Sequence, residues 1–315
     1  MAVTQYSKSL EDTAERLTER LSQAEAIRGR SLWFDARVRF FGNKAAVGAL
    51  VVLILVIAFV LIGPSFAVWS NEEIDWGRMG DIATAGRPSI ETGHYFGLDD
   101  LGRDLYSRTI QATGTSLLVG LVGAFVAVVI GTLYGAVSGY VGGWVDGAMM
   151  RAVDILIAVP YMFIIILLMV MFDRSFYMLF IGIGATSWLA MSRIVRGQTL
   201  SLRHREFVEA AQAGGVGGFT IIIRHILPNL LGVVVVYATL LVPEMILVES
   251  FISFLGLGVQ EPATSLGRLI SEGAGTIAYG TIWQLLVPLT FFLLTIISLF
   301  FIGDGLRDAL DPKDR

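Results

Sequence analysis

The chain has 315 residues, of which 55% are hydrophobic and only 16% are charged, and its mean hydropathy is +0.70. Soluble globular domains usually carry about 25% charged residues, so this composition predicts a membrane protein and argues against a soluble domain. The net charge of −4 gives no reason to expect a nucleic-acid partner, and the absence of cysteine excludes disulfides and thiolate metal sites.

The first 44 residues differ from the rest of the chain, because they carry eight basic and six acidic side chains. They contain no apolar stretch of the kind that marks a signal peptide. Apolar residues recur at steps of three and four between residues 10 and 27, which favours an amphipathic helix on the membrane surface or against a partner. A solvated helical tail would show the same pattern.

Six stretches without a charged residue are long enough to cross the hydrocarbon core, which takes about 20 apolar residues of helix. They are Ala45–Asn71, Thr109–Val145, Ile155–Phe172, Ser175–Ser192, Ile226–Pro243 and Gly273–Gly303. Helices satisfy their own backbone hydrogen bonds in lipid. The sequence therefore predicts an all-α integral membrane domain with six transmembrane helices over residues 45–303, between tails at 1–44 and 304–315.

The distribution of Lys and Arg predicts that both ends of the chain are cytoplasmic. In that orientation seventeen of the 23 basic residues lie inside and six lie outside, as the positive-inside rule requires. The segment 70–108 is then external, and the segment 199–225 is a cytoplasmic loop.

Four glycines recur at four-residue spacing in the second predicted span. They are Gly131, Gly135, Gly139 and Gly143. Small residues at this spacing leave a groove in which another helix backbone can approach closely. We expect helix packing there, and lining of a transport path is the alternative.

The cytoplasmic loop contains a short helical sequence, EFVEAAQA, which begins at residue 206 and is followed by glycines. Glu206 and Glu209 suit the positive end of a helix dipole, and the alanines favour helix. Gly214 and Gly215 can end the helix in a left-handed cap. Two flanking spans would hold this helix in the cytoplasm, where it can dock on a soluble partner. A loop lying on the lipid, or a solvated charged face, also fits these residues.

This loop resembles the EAA loop of permease subunits in bacterial ABC importers. The resemblance rests on EAA at 209–211, on Gly215 and on HILPN at 225–229. HYFGLDDLGRDLYSR (94–108) and SFLGLG (253–258) are similar to the dipeptide and oligopeptide branch, and GDGLRDALDPKDR (303–315) is similar to its oligopeptide C subunits. The resemblance covers roughly residues 30–315 and implies a type I importer permease fold in the bacterial inner membrane.

In that family the EAA loop holds the coupling helix, which sits in a cleft of an ATPase subunit. The resemblance therefore implies a coupling role for the residues that form the helix and its bend. They are Glu206, Phe207, Val208, Glu209, Ala210, Ala211, Ala213 and Gly215.

The resemblance also implies several partners besides membrane lipid. They are a second related permease subunit, two ATPase subunits that bind ATP and Mg, and an external, periplasmic peptide-binding protein. The chain itself has no P-loop, because none of its three lysines follows a glycine. Its three histidines are scattered, and we expect no catalytic residue, metal site or cofactor in this chain.

Charged residues of the external segment are candidates for contact with the binding protein. They are Asp99, Asp100, Arg103 and Asp104. The alternative is that this group caps a helix at the membrane surface, with Asp99 or Asp100 as the N-cap.

Two acids follow the fifth predicted span, Glu244 and Glu249. An ionisable residue inside a span is a functional candidate, and here it could line the path and meet the amino terminus of a peptide. By the charge-free count, however, both acids are expected near the outer interface.

The function implied by the resemblance is import of oligopeptides, driven by ATP hydrolysis in partner subunits. The same machinery importing dipeptides, glutathione or another small solute such as a nickel chelate is the alternative. An intramembrane protease would need its catalytic groups inside the spans, whereas Asp154 and Asp173 lie at span ends and no HExxH motif occurs. A structural scaffold would not need the EAA loop.

Overall fold

The computed structural model describes residues 32–172 and 176–310. The predicted amphipathic helix at residues 10–27 lies outside this range. Within it the chain is helical and contains no strand, apart from three isolated β-bridges in the external segment. Five helices of the described range are long and apolar enough to cross a membrane, or six spans if one bent pair counts as a single span.

The longer helices of the described range, in chain order, are α1 (Leu32–Gly42), α2 (Lys44–Ile62), α3 (Leu105–Val141), α4 (Gly143–Ala158), α5 (Tyr161–Met171), α6 (Phe176–Leu202), α7 (Glu206–Ala213), α8 (Leu227–Phe254), α9 (Leu266–Thr276) and α10 (Trp283–Leu310). A single α-helical turn, Gly218–Ile221, and a π-helical turn, Ile222–Ile226, lead directly into α8. The bent pair is α4 and α5, whose axes differ by 73° across a break at Val159 and Pro160.

The fifth span is longer than the sequence predicts. The helix passes through Pro243 and ends only at Phe254, so Glu244 and Glu249 lie inside α8 and not at its outer end. A count of charge-free residues stops at the first acid, but a helix does not end there when the acid has polar neighbours or faces a cavity. The sixth predicted stretch is divided instead, because the chain turns at Gly280, whose φ is 83°, between α9 and α10.

The helices α3 and α6 pack most closely, and glycines allow their approach. A Cβ atom at Gly135 would lie 2.4 Å from the Ser192 carbonyl oxygen, and at Gly139 it would lie 2.8 Å from that of Arg196. Gly131 meets Trp188 and Met191 in the same way. Gly143 takes no part, because α3 ends at Val141 and nothing lies within 4 Å of a Cβ atom built at Gly143.

Contacts at the two ends of α2 fix the sides of the bundle. Near the start of α2, Ala46 packs against Gly305 of α10. At the other end, the Gly63 carbonyl accepts a hydrogen bond of 3.1 Å from the Tyr106 hydroxyl at the start of α3. The start of α2 and the end of α10 therefore lie on one side of the molecule, and the start of α3 lies on the other.

Candidate coupling helix and transport cavities

The short helix α7 has the local structure that its residues favour. Glu206 and Glu209 lie in its first turn, where the backbone N–H groups attract negative charge. At its end, the Val216 N–H donates to the Ala211 carbonyl at 3.1 Å and the Gly215 N–H donates to the Gln212 carbonyl at 3.0 Å. With Gly215 at φ 77°, this is the capping arrangement that glycine permits, and it fixes the direction in which the chain leaves α7.

One side of α7 is anchored in the membrane helices of the same chain. Val208 has no exposed surface and packs in an apolar cluster with Ala136 of α3, Val195 of α6 and Leu230 of α8. Among the residues for which the resemblance implies a coupling role, Val208 is thus the one on the buried side of α7. Its side chain faces the bundle and is not available to a partner, so it joins α7 to three long helices at once.

Polar contacts add to this anchor. The Arg203 guanidinium donates to the Gly139 carbonyl at 3.3 Å, and the Gln212 side chain donates to the Tyr140 hydroxyl at 3.4 Å. Close by, Asp146 of α4 accepts two bonds of 2.5 Å from Arg196 of α6. The helix α7 and the residues just before it thus contact the end of α3, and α6 is tied to α4 beside it.

The opposite side of α7 is exposed, and its surface is small and acidic. Glu206, Glu209, Ala210 and Ala213 are exposed, and Phe207 is 40% exposed. Alanine side chains allow a helix to enter a narrow cleft, and one aromatic ring beside two carboxylates gives such a surface both an apolar and a charged contact. This geometry suits docking into a cleft of another protein.

An ion-pair network holds the external segment to the bundle. Asp99 pairs with Arg108, which is 2% exposed, and also with Arg103 at 2.7 Å. Arg108 reaches Glu272 of α9 at 3.1 Å, and Arg103 reaches Glu261 at 2.9 Å. Burial alone disfavours the charged form of Glu261, but the hydrogen bond and charge of Arg103 hold the pKa of Glu261 below its usual range.

The start of α3 is capped by Asp104, and not by Asp99 or Asp100 as the sequence suggested. The Asp104 carboxylate accepts from the Ser107 N–H at 2.9 Å and lies 2.9 Å from the His94 Nδ1 atom. Burial raises the pKa of Asp104, although these two partners oppose the shift.

Of the four charged residues predicted to contact the binding protein, only Asp100 is exposed, because Asp99, Arg103 and Asp104 are buried. Although Asp100 reaches solvent, the surrounding protein partly desolvates its carboxylate, and this desolvation, followed by the charges of Asp99 and Glu272, raises the pKa of Asp100.

Glu249 lies in a sealed cluster of serines between α3 and α8. Its side chain has no exposed surface and accepts hydrogen bonds from Ser253 at 2.6 Å, Ser116 at 3.0 Å and Ser250 at 3.2 Å. The Ser116 hydroxyl also accepts from the Leu266 N–H at the start of α9, at 3.3 Å. Glu249 therefore connects helices, and it does not line either of the two cavities that meet at Glu244.

Glu244 is exposed and borders two neighbouring cavities, of about 230 Å³ and about 460 Å³. Both are also lined by Tyr161 and Val248.

The sequence analysis singled out Glu244 but missed Tyr161, although the adjacent Pro160 marked the break that brings Tyr161 to the two cavities. It also missed His94 and Arg108, for which the alternating charges of residues 99–108 were the available signal.

Comparison with known proteins identifies the family. The model for "binding-protein-dependent transport system inner membrane component" matches residues 127–315, and that for "N-terminal TM domain of oligopeptide transport permease C" matches residues 31–82. The chain is 53% identical over 309 residues to the oligopeptide transport system permease protein OppC of Escherichia coli K12, which covers 98% of this chain and 99% of that protein. It is 51% identical over 304 residues to OppC of Haemophilus influenzae (96% of each chain), and 38% identical over 299 residues to the dipeptide transport system permease protein DppC of Bacillus subtilis (94% and 91%). The chain therefore belongs to the binding-protein-dependent inner membrane transport components of bacteria, in their oligopeptide permease C group.

Proposed function

We propose that this chain is one permease subunit of an ATP-driven importer that carries oligopeptides across the bacterial inner membrane. Its relatives at 51–53% identity in Escherichia coli and Haemophilus influenzae are oligopeptide permeases, which favours oligopeptides over the smaller solutes. The structural observation that supports coupled transport most directly is α7. It presents one exposed face, while Val208 on its other face is buried among α3, α6 and α8.

The proposed complex contains a second related permease subunit, two ATPase subunits and an external peptide-binding protein. The ATPase subunits bind ATP and Mg, and this chain contributes neither a nucleotide site nor a catalytic group. Its six spans have the type I importer arrangement, with both ends in the cytoplasm. Asp100, the exposed acid of the external segment, is the member of its group that can contact the binding protein directly.

The proposed mechanism uses α7 as a lever. ATP draws the ATPase subunits together, and the cleft that holds α7 moves with them. Because α7 is packed against the ends of α3, α6 and α8, these helices turn with it and open the path outward. Hydrolysis releases the ATPase subunits and restores the inward-facing state. ATP can shift this equilibrium only because the docked cleft favours one of the two orientations of α7.

Single cysteines test the docking face, since the chain contains no native cysteine. We expect Glu206→Cys, Glu209→Cys and Ala213→Cys, each in the assembled importer, to crosslink to the co-purified ATPase, with a yield that changes when ATP is added. Val208→Cys is the matched internal control and should not crosslink, because its side chain is sealed inside this chain. Crosslinking at residue 208 as strong as at the exposed positions, or none at any of them, would contradict the docking model.

A further inference from the structure

Glu244 lies deep within the membrane part of the bundle. Gly120 of α3 packs against Ile246 and the Val242 carbonyl, which are neighbours of Glu244 on α8. Ile110, ten residues earlier on α3, contacts Gly63 at the outer end of α2. Ten residues of α-helix span about 15 Å, so Glu244 lies about half of the way into a hydrocarbon core that is about 30 Å thick.

The Glu244 carboxylate has no partner within the described residues. No ion pair or hydrogen bond joins it to another side chain or to the backbone there, in contrast to Glu249 with its three serines. A carboxylate at this depth is costly to keep and usually marks a path for a substrate or ion. Because Glu244 is exposed to the two cavities that it borders, its carboxylate is free to attract a cationic group from outside this chain.

The surroundings of Glu244 are suited to a ligand of variable shape. The cavity of about 230 Å³ is lined mainly by apolar side chains, among them Ile157, Leu241 and Met245, with the hydroxyls of Thr186 and Ser187. The second cavity, of about 460 Å³, continues from Tyr161 and Glu244 along Phe251 and Phe254, on the outer part of α8. Together they form a broad, mostly apolar surface with one carboxylate near its middle.

Peptides of different sequence share one cationic group, the ammonium at the amino terminus. A fixed carboxylate on apolar walls can receive this group without selecting among side chains. We propose that Glu244 binds the amino terminus of the peptide as it passes through the membrane; this inference rests on the proposed function. One charged contact is weak enough for the peptide to leave again, which conduction through a path requires.

The charge at this site can be measured without transport. Ala190 is exposed and lines the same cavity as Glu244, so Ala190→Cys places a single reactive thiol beside it. In the assembled importer we expect Glu244→Gln to slow the reaction with a cationic methanethiosulfonate about fivefold, and to accelerate the anionic reagent by a similar factor. Glu244→Asp keeps the charge and should keep the preference for the cation. If Glu244→Gln left the reactivity of the thiol toward both reagents unchanged, the proposal would be overturned.

Measurements of peptide uptake then test whether the ligand of Glu244 is the amino terminus of the peptide. Uptake of one peptide with a free amino terminus, and of its N-acetylated form, is compared between Glu244→Gln and the unaltered importer in proteoliposomes. The same binding protein delivers the peptide to both, so its own preference cancels in the ratio. We expect the free peptide to lose about tenfold in uptake, the value of one charge-assisted hydrogen bond, and the acetylated peptide to be unaffected. Equal losses for the two peptides, or no loss for either, would overturn the proposal, whereas absence of ATP-dependent uptake in the unaltered importer would contradict the proposed function itself.

Discussion

At the residue scale, Gly215 determines how the chain leaves α7. Its φ of 77° is in the left-handed region, and nothing lies within 4 Å of a Cβ atom built on it. There is ample space for a side chain at this position. Glycine is therefore needed because of the backbone conformation, and not because of crowding. Gly217, two residues later, also has open space but an ordinary φ of −64°.

This difference predicts the effect of adding one methyl group. An alanine at residue 215 must adopt a left-handed conformation, which costs about 1–2 kcal/mol, or the exit of α7 must change. We expect Gly215→Ala to reduce ATP-dependent peptide uptake while the complex still co-purifies. Gly215→Asn should retain more uptake because asparagine tolerates this conformation, and Gly217→Ala should behave as the unaltered chain. Equal uptake by the Gly215→Ala and Gly215→Asn variants would show that the backbone at this point is not critical.

The sequence predicted the position of this bend but not which side chains α7 would bury. In an eight-residue helix, Val208 and Phe207 are equally plausible contacts with a partner, and only the packing of α3, α6 and α8 distinguishes them. The two acids of α8 were equivalent in the sequence for a similar reason. They are five residues apart, which places them about 140° apart around the helix, and nothing in the sequence shows which face meets the serines and which meets the cavities.

At the element scale, the contact between α3 and α6 illustrates both the strength and the limit of a periodic pattern. Gly131, Gly135 and Gly139 face α6 because they share one side of a continuous helix. The four-residue repeat of glycines on one face stops at the end of α3, because Gly142, with a φ of 69°, directs the chain into α4. Gly143 therefore does not face α6. The bend between α4 and α5 was also not predictable from the count, because Ile155–Phe172 reads as one apolar run although Pro160 divides it.

The glycine contacts predict a difference between two substitutions of the same kind. An alanine at residue 135 would place its methyl group 2.4 Å from the Ser192 carbonyl oxygen, and the two helices would have to separate. Overpacking of this kind costs about 1–3 kcal/mol, so we expect Gly135→Ala to lower the thermal unfolding temperature of the purified complex. Gly147→Ala is the control, because Gly147 is also helical but has nothing within 4 Å of its Cβ position. A similar unfolding temperature for both variants would mean that close contact at Gly135 does not stabilise the bundle.

At the scale of the whole molecule, the sequence predicted the all-helical fold, the family and the inner membrane location, and these are confirmed. The number of spans remains a prediction, because the described range holds five candidate spans and one bent pair. Composition cannot decide whether two helices that meet at 73° cross the membrane or return to the side from which they entered.

The positions of the two ends bear on this question. The start of α2 and the end of α10 lie together, through Ala46 and Gly305, which requires an even number of crossings between them. We therefore expect the bent pair to cross, since five crossings would separate the two ends. The end of α3 is next to Arg203, just before α7, so we expect α7 to share a compartment with both ends.

A pair of reporters distinguishes the two topologies. An enzyme active only in the cytoplasm, fused after Arg315, should be active, and the same enzyme inserted after Gly280, between α9 and α10, should be inactive. A reporter active only outside the inner membrane should give the reverse result at both positions. The physical reason is that α10 crosses the membrane once, and seventeen of 23 basic residues lie on the side of α7 in this orientation. External activity after Arg315 would contradict this topology. The bent pair would then not cross, and α7 and the end of α10, which only the crossings of α8 and α10 separate, would both lie outside, away from the start of α2.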